Sequence, residues 1–140
     1  MRSLFSALWF RSLTKPGLDS LICDVKLGKA DAIHQAVDFV AAESFGMWHN
    51  RARAKLCRHF KNHPPAETDR KRMVDAIAAR LVEGRFSEQF RDQLALAIRF
   101  DPNRMAEVAD VASRSDREFV RRYAERVRHA LRSVTNARHQ

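Results

Sequence analysis

The stretch from Ser115 to Arg132, SDREFVRRYAERVRHALR, decides the fold class, because it carries the clearest helical pattern in the chain. Its apolar residues recur mainly every three or four positions, which places them on one side of a helix. They are Phe119, Val120, Tyr123, Val127 and Leu131. The run from Ser115 to Glu118 has the S-x-x-E form of a capping box, so we predict that the helix begins at Ser115.

Similar apolar patterns fill the rest of the chain between breaks at glycine and proline. With only 4 Gly and 4 Pro in 140 residues, the sequence has little material for the tight turns of an all-β fold. We therefore predict an all-α fold, a single-domain bundle of six to eight helices whose neighbours pack as antiparallel hairpins. HEAT-like or TPR-like superhelical stacking remains an alternative arrangement, although no residue pattern recurs beyond the apolar spacing.

Three segments are predicted along the chain. Residues 1–17 would form an apolar N-terminal helix followed by a break at Lys15-Pro16-Gly17, residues 18–135 the helical domain, and residues 136–140 a frayed end. The N-terminal segment carries the candidate partner-binding residues Leu4, Phe5, Leu8, Trp9 and Phe10. Such a segment docks on the domain or a partner, contacts a membrane surface as an interfacial or targeting segment, or is disordered.

No catalytic motif is present: the sequence has no GxSxG, no P-loop and no GxGxxG. We therefore expect a protein that is not an enzyme and carries no cofactor. His59 and His63 have a spacing that lets two imidazoles reach one metal, but no nearby ligand completes the set, so no metal site is predicted. Cys23 and Cys57 lack CxxC spacing and predict free thiols in a reducing compartment, the cytoplasm, with a single disulfide between them as the alternative.

Excess positive charge is the strongest functional signal. The chain has 26 Lys and Arg against 17 Asp and Glu, a net charge of +9. The basic residues concentrate on two predicted helices and are candidates for phosphate contacts. They are Arg51, Lys55 and Arg58 on one helix, and Arg114, Arg117, Arg121, Arg128 and Arg132 opposite the apolar side of the other. The alternative for both is an ordinary solvated helix face.

These observations predict a small helical binding module for an acidic partner, with DNA or RNA bound without sequence specificity as the first choice. Phe119 and Tyr123 are predicted on the packing side of their helix, which argues against bases stacking there. The alternative function is a protein-protein adaptor or homo-oligomer subunit that uses the N-terminal helix or a helical groove. No run of apolar residues is long enough to cross a membrane.

Overall fold

The structure is a computed structural model that describes residues 12–86 and 89–139, with the side chains of the last helix described through residue 134. Within these ranges the chain forms seven helices and no strand, which confirms the predicted all-α multi-helix bundle. The helices are α1 (Lys15–Lys26), α2 (Ala30–Ala41), α3 (Met47–Asn62), α4 (Glu67–Glu83), α5 (Phe90–Phe100), α6 (Pro102–Ala112) and α7 (Glu118–His139).

The helices share one hydrophobic core. α1, α2 and α3 contact one another, while α4 contacts α2, α5, α6 and α7. α5 lies between the two groups, since it contacts α3 as well as α4, α6 and α7. Among the largest fully buried side chains are Phe39, Phe60 and Phe90, each from a different helix. Consecutive described helices contact each other, with the exception of α3 and α4, which are joined by the turn through Pro64 and Pro65.

The start of α1 corrects one prediction. Lys15-Pro16-Gly17 is the first turn of this helix and not a break before it. Proline is tolerated there because the amide groups of a first turn have no partner within the helix. The Pro16-Gly17 pair therefore marks the start of a helix, although the same pair is also typical of a loop turn. The assignment of residues 1–17 to a separate segment stays a prediction, because residues 1–11, including the five candidate partner-binding residues, lie outside the described ranges.

The start of α7 corrects a second prediction. The helix begins at Glu118 and not at Ser115, because the Ser115 hydroxyl accepts a hydrogen bond from the amide of Arg117, only two residues on, at 3.2 Å. Arg114 and Arg117 consequently lie in the turn before α7 and not on its face. At the other end the backbone is helical to His139, beyond the predicted limit at residue 135.

Two other helix ends follow the sequence signals. Asp101 accepts a hydrogen bond from the amide of Arg104 at 3.0 Å, so it is the N-cap of α6, with Pro102 in the first helical position. Gly84 ends α4 in the left-handed conformation with φ 74°. The end of α4 also touches the start of α7, because the position of a Cβ on Gly84 lies only 3.1 Å from Val120 Cγ2.

The structure also bears on the two cysteines and on membrane-spanning helices. Cys23 and Cys57 are both free, Cys23 at the surface and Cys57 fully buried, where burial raises the pKa of its thiol to about 12. Within the described part of the chain, no helix combines the length and the apolar character that a membrane crossing requires.

Candidate nucleic-acid interface

The outer face of α3 carries three of the predicted phosphate-binding side chains. Arg51, Lys55 and Arg58 are all exposed, on the side of α3 away from Ala52, Leu56 and Phe60 in the core. Arg58 is held by Asp92 of α5, with a distance of 2.8 Å between Nη1 and Oδ2. Arg51 and Lys55 form no ion pair with any residue that the structure describes.

α1 adds cations to this face that the sequence did not place there. Lys15, Asp19, Ile22 and Lys26 follow one another along one side of α1, and this side faces α3. Between the two helices lie depressions of about 440 Å³ and 70 Å³, which share Asp19, Ile22 and Lys55 and so lie next to each other. We call the two together the α1/α3 groove, lined by Lys15, Lys26, Trp48, Arg51, Lys55 and Arg58.

An aromatic ring lies at one end of the groove. It belongs to Trp48, of whose surface 41 % is exposed. Lys15 Nζ and the Arg51 guanidinium carbon each lie 5.2 Å from the ring centroid, within the range of a cation-π contact. An exposed indole beside two cations is the combination that the sequence did not reveal, and it suits the stacking of an unpaired base next to its phosphate.

The charge of the groove is only partly neutralised. Asp19 pairs with Lys15 at 3.0 Å, whereas Lys26 is exposed and, within the described chain, has no ion pair. His59 lies at the other end, and its pKa is lowered by burial, by His63 and by the charge of Lys26. A lowered pKa keeps His59 neutral at physiological pH, so the lysines and arginines supply the positive charge of the groove at neutral pH.

Most of the arginines on α7 differ from Arg51 and Lys55 of α3, because they already contact carboxylates or carbonyls of the protein. Arg128 contacts Asp110 at 2.6 Å and Ser113 at 3.1 Å, and it is only half exposed. Arg132 contacts Glu125 at 3.3 Å, and Arg121 donates to the Ser115 carbonyl at 2.8 Å. We call Arg114, Arg117, Arg121, Arg128 and Arg132 the α7 cluster; among the described residues, only Arg114 and Arg117 of the cluster have no such contact.

The two basic regions belong to helices that do not touch. α3 and α7 each contact α5, but they do not contact each other. Whether the two basic regions share one side of the fold, as one continuous positive surface requires, stays a prediction. The α1/α3 groove combines concave shape, exposed cations without an ion pair among the described residues and an exposed tryptophan.

The aromatic residues of α7 divide between two environments. Tyr123 is half buried and packs on Phe86 and Phe90, as predicted. Phe119 is 45 % exposed, so its predicted place on the packing side is only partly right. It meets Phe86 edge to face and stays near the surface because α7 begins one residue before it.

The histidine pair on α3 forms a stack. The rings of His59 and His63 lie 4.6 Å apart at an angle of 25°, so their faces meet and their nitrogen atoms do not converge on one point. Among the described residues, no group of three or more His, Cys, Asp or Glu side chains is close enough to hold a metal ion.

Two signals could have found the missed residues. Lys15, Asp19, Ile22 and Lys26 follow helical spacing, which marks one side of α1 once the helix is known to begin at Lys15. His49, Arg53, Cys57 and Phe60 follow the same spacing on α3, and all four are buried. Arg53 is charged, but it lies on this buried side of α3 and is therefore not a surface charge.

Comparisons of the chain with family models, curated proteins and solved structures gave no match.

Proposed function

We propose that this protein is a small helical module that binds nucleic acid, with the α1/α3 groove as the surface that contacts the phosphate backbone. The observation that carries the proposal is the set of exposed cations Lys26, Arg51 and Lys55, which are not neutralised by any described acid and line a groove with an exposed tryptophan. Binding of this kind is largely independent of sequence and sensitive to salt, because it releases counterions from the phosphates.

The shape of the groove favours a single strand. Contacts to one backbone need a row of cations, and stacking needs a ring that an unpaired base can reach. Lys26 and Trp48 lie toward opposite ends of the row, with Lys55 between them in both depressions. We expect single-stranded RNA or DNA to bind more tightly than a duplex, since the bases of a duplex are already stacked on each other.

The test is a fluorescence anisotropy titration with a labelled oligonucleotide of mixed sequence at about 50 mM and about 200 mM salt. Replacing Lys26, Arg51 and Lys55 together with Glu should weaken binding on the order of a hundredfold and reduce the salt dependence by about two to three phosphate contacts. Binding that does not change with salt, or no binding by the unmodified protein at low salt, would contradict the proposal.

A matched control separates the groove from general charge. Replacing Arg114, Arg117 and Arg121 with Glu removes the same net charge from exposed positions of the α7 cluster. We expect this variant to lose about fivefold or less, because charges far from the contact act only through screened long-range attraction. Equal losses in the two variants would show that the net charge of the protein, and not the groove, attracts the nucleic acid.

The loop between α2 and α3 favours a second candidate function, self-association. Phe45 is 84 % exposed and Met47 is 56 % exposed, and they lie close together in sequence next to the exposed Trp48. Contiguous exposed apolar side chains are typical of interfaces between proteins. Light scattering of the whole protein across a concentration range tests this; a dimer that Phe45→Ser and Met47→Ser convert to a monomer supports it, and a monomer throughout rules it out.

A further inference from the structure

Two arginine side chains are buried where the end of α2 meets α3, α4 and α5. Arg53 of α3 and Arg80 of α4 are each only 4 % exposed. They line a pocket of about 320 Å³ together with Asn50, Gln93, Arg85 and Phe45, among others. Buried guanidinium groups are rare unless they meet an anion, because removing their charge from water is costly.

The contacts of these arginines neutralise them only in part. Arg53 donates to the carbonyls of Phe39, Ala42 and Ser44 at 3.3 to 3.4 Å and to the Ser44 hydroxyl. The carbonyls of Phe39 and Ala42 belong to the C-terminal end of α2, whose dipole supplies only a fraction of a negative charge, and Ser44 lies in the loop that follows. Nε of Arg53 is buried without a partner. Arg53 thus binds dipoles and no carboxylate among the described residues.

Arg80 has one acceptor for each of its nitrogen atoms. Nη1 donates to Gln93 Oε1 at 2.8 Å, Nη2 to the Ala42 carbonyl at 2.9 Å, and Nε to Glu43 Oε1 at 3.4 Å. Each Nη group therefore keeps a second N–H. Arg85 binds the same oxygen of Glu43, so a single carboxylate is shared by Arg80 and Arg85. Arg85 also binds Glu83, so two carboxylates already bind guanidinium groups at the mouth of the pocket.

The electrostatics agree with an excess of positive charge. Burial, and to a smaller extent the charge of Arg80, lower the pKa of Arg53 to about 10. Burial also lowers the pKa of Arg80, while Glu43 raises it. Both arginines remain protonated at neutral pH, so the pocket keeps two buried positive charges close together.

The rim of the pocket is apolar. Phe45 stands 84 % exposed, and Phe86 is half buried on the same pocket. A volume of about 320 Å³ exceeds what an inorganic ion fills and is at the small end of the range for organic ligands. Guanidinium groups bind phosphate through paired N–H donors, and two neighbouring cations suit a doubly charged group better than a carboxylate.

We propose that this pocket binds a small organic phosphate monoester, whose phosphate contacts Arg80 and Arg85 above Arg53 and whose apolar body lies against Phe45 and Phe86. The site is separate from the α1/α3 groove: Arg53 is two residues from both Arg51 and Lys55 and so lies on the opposite side of α3. A ligand here would also lower the cost of the buried charges.

Calorimetry with phenyl phosphate, inorganic phosphate and benzoate tests the proposal on the whole protein. Phenyl phosphate should bind at one site per chain with a Kd below about 1 mM, at least about fivefold tighter than either of the other two. The absence of saturable binding, or benzoate binding as tightly as phenyl phosphate, would overturn the proposal.

Variants at the rim test the location without disturbing the core. Arg85→Gln should weaken phenyl phosphate about tenfold, because it removes one charge-assisted contact from an exposed side chain. Phe45→Ala should weaken phenyl phosphate and leave inorganic phosphate unchanged. Arg99→Gln, in a basic depression between α4, α5 and α6, is the control and should have no effect. Equal losses in Arg85→Gln and Arg99→Gln would place binding elsewhere.

A competition experiment separates this site from the nucleic-acid surface. Saturating phenyl phosphate should leave the anisotropy of a bound oligonucleotide unchanged, because the two sites lie on different sides of α3. Displacement of the oligonucleotide would show that phenyl phosphate occupies the α1/α3 groove, which would overturn the assignment to this pocket. Failure of the oligonucleotide to bind does not affect the calorimetric result, so the two proposals fail independently.

Discussion

α3 and α7 carry the two concentrations of arginine in this chain, and their side chains meet different surroundings. On α3, Arg53 points into the core while Arg51 stays exposed beside Trp48 without an ion pair. On α7, Arg122, Arg128 and Arg132 each contact a carboxylate from their own helix or from α6. Nearly equal local charge in the sequence thus gives one helix with exposed cations that form no ion pair among the described residues, and one helix whose arginines mostly contact carboxylates.

The difference teaches that the number of arginines in a segment does not measure the positive charge that it presents. An exposed arginine paired with a neighbour contributes little to stability and little to attraction. A buried arginine contributes nothing to the surface, but its hydrogen bonds hold the surrounding backbone in place. Three substitutions follow from this contrast, in order of decreasing effect.

Replacing Arg53 with Ala should destabilise the protein by about 3 kcal/mol, since it removes the donor of the buried Ser44 carbonyl and hydroxyl and opens a cavity. Urea denaturation measures the loss. The matched α7 variant, Arg121→Ala, should lose less than about 0.5 kcal/mol because its side chain is exposed. Similar losses in the two would remove the distinction between the helices.

Replacing Gly84 with Ala should cost about 2 kcal/mol, because the residue has a positive φ and its new Cβ would press on Val120 and Phe119, each 3.1 Å away. Gly28→Ala is the control: its φ is also positive, at 80°, but no atom lies within 4 Å. It should cost about 1 kcal/mol. Thermal denaturation of both variants compares them; equal costs would show that apolar contact with α4 does not anchor the start of α7.

Replacing Arg128 with Ala should lower the free energy of unfolding by about 0.5 kcal/mol, because its pair with Asp110 is largely exposed to solvent. The effect should fall further at about 1 M salt, where screening shortens the range of the attraction. A double-mutant cycle with Asp110→Ala measures the coupling between the two. A coupling above about 2 kcal/mol would make the pair a major support of α7.

Much of the fold could be predicted from the sequence because helical order is local. Apolar residues every three or four positions gave the helices, Asp101-Pro102 marked the start of α6, and Gly84 marked the end of α4. Local signals gave wrong helix limits where the same residues are compatible with two local structures. Lys15-Pro16-Gly17 is compatible with a loop turn and with the first turn of a helix. The Ser115 hydroxyl accepts a hydrogen bond from the amide of Arg117 and does not cap α7.

The candidate site was predictable only in part. The exposure of Arg51, Lys55 and Arg58 followed from their position opposite the core residues of α3. The groove itself required α1 to pack along α3 and bring Lys15 and Lys26 to the same side. The sequence does not indicate that residues so far apart in the chain are in contact. Helical periodicity shows which side of a helix is buried, but it does not show which other helix covers that side.

By itself, the sequence determined the helical class, the helix limits at Asp101-Pro102 and Gly84, the excess of arginine and the outward direction of the α3 cations, because all of these depend on residues within a few turns of one another. Only the tertiary structure decided which arginines remain unneutralised. Asp92 reaches Arg58 from α5 and Asp110 reaches Arg128 from α6, while Arg53 and Arg80 meet beside the end of α2. Ion pairs form between neighbours in space, and packing creates those neighbours.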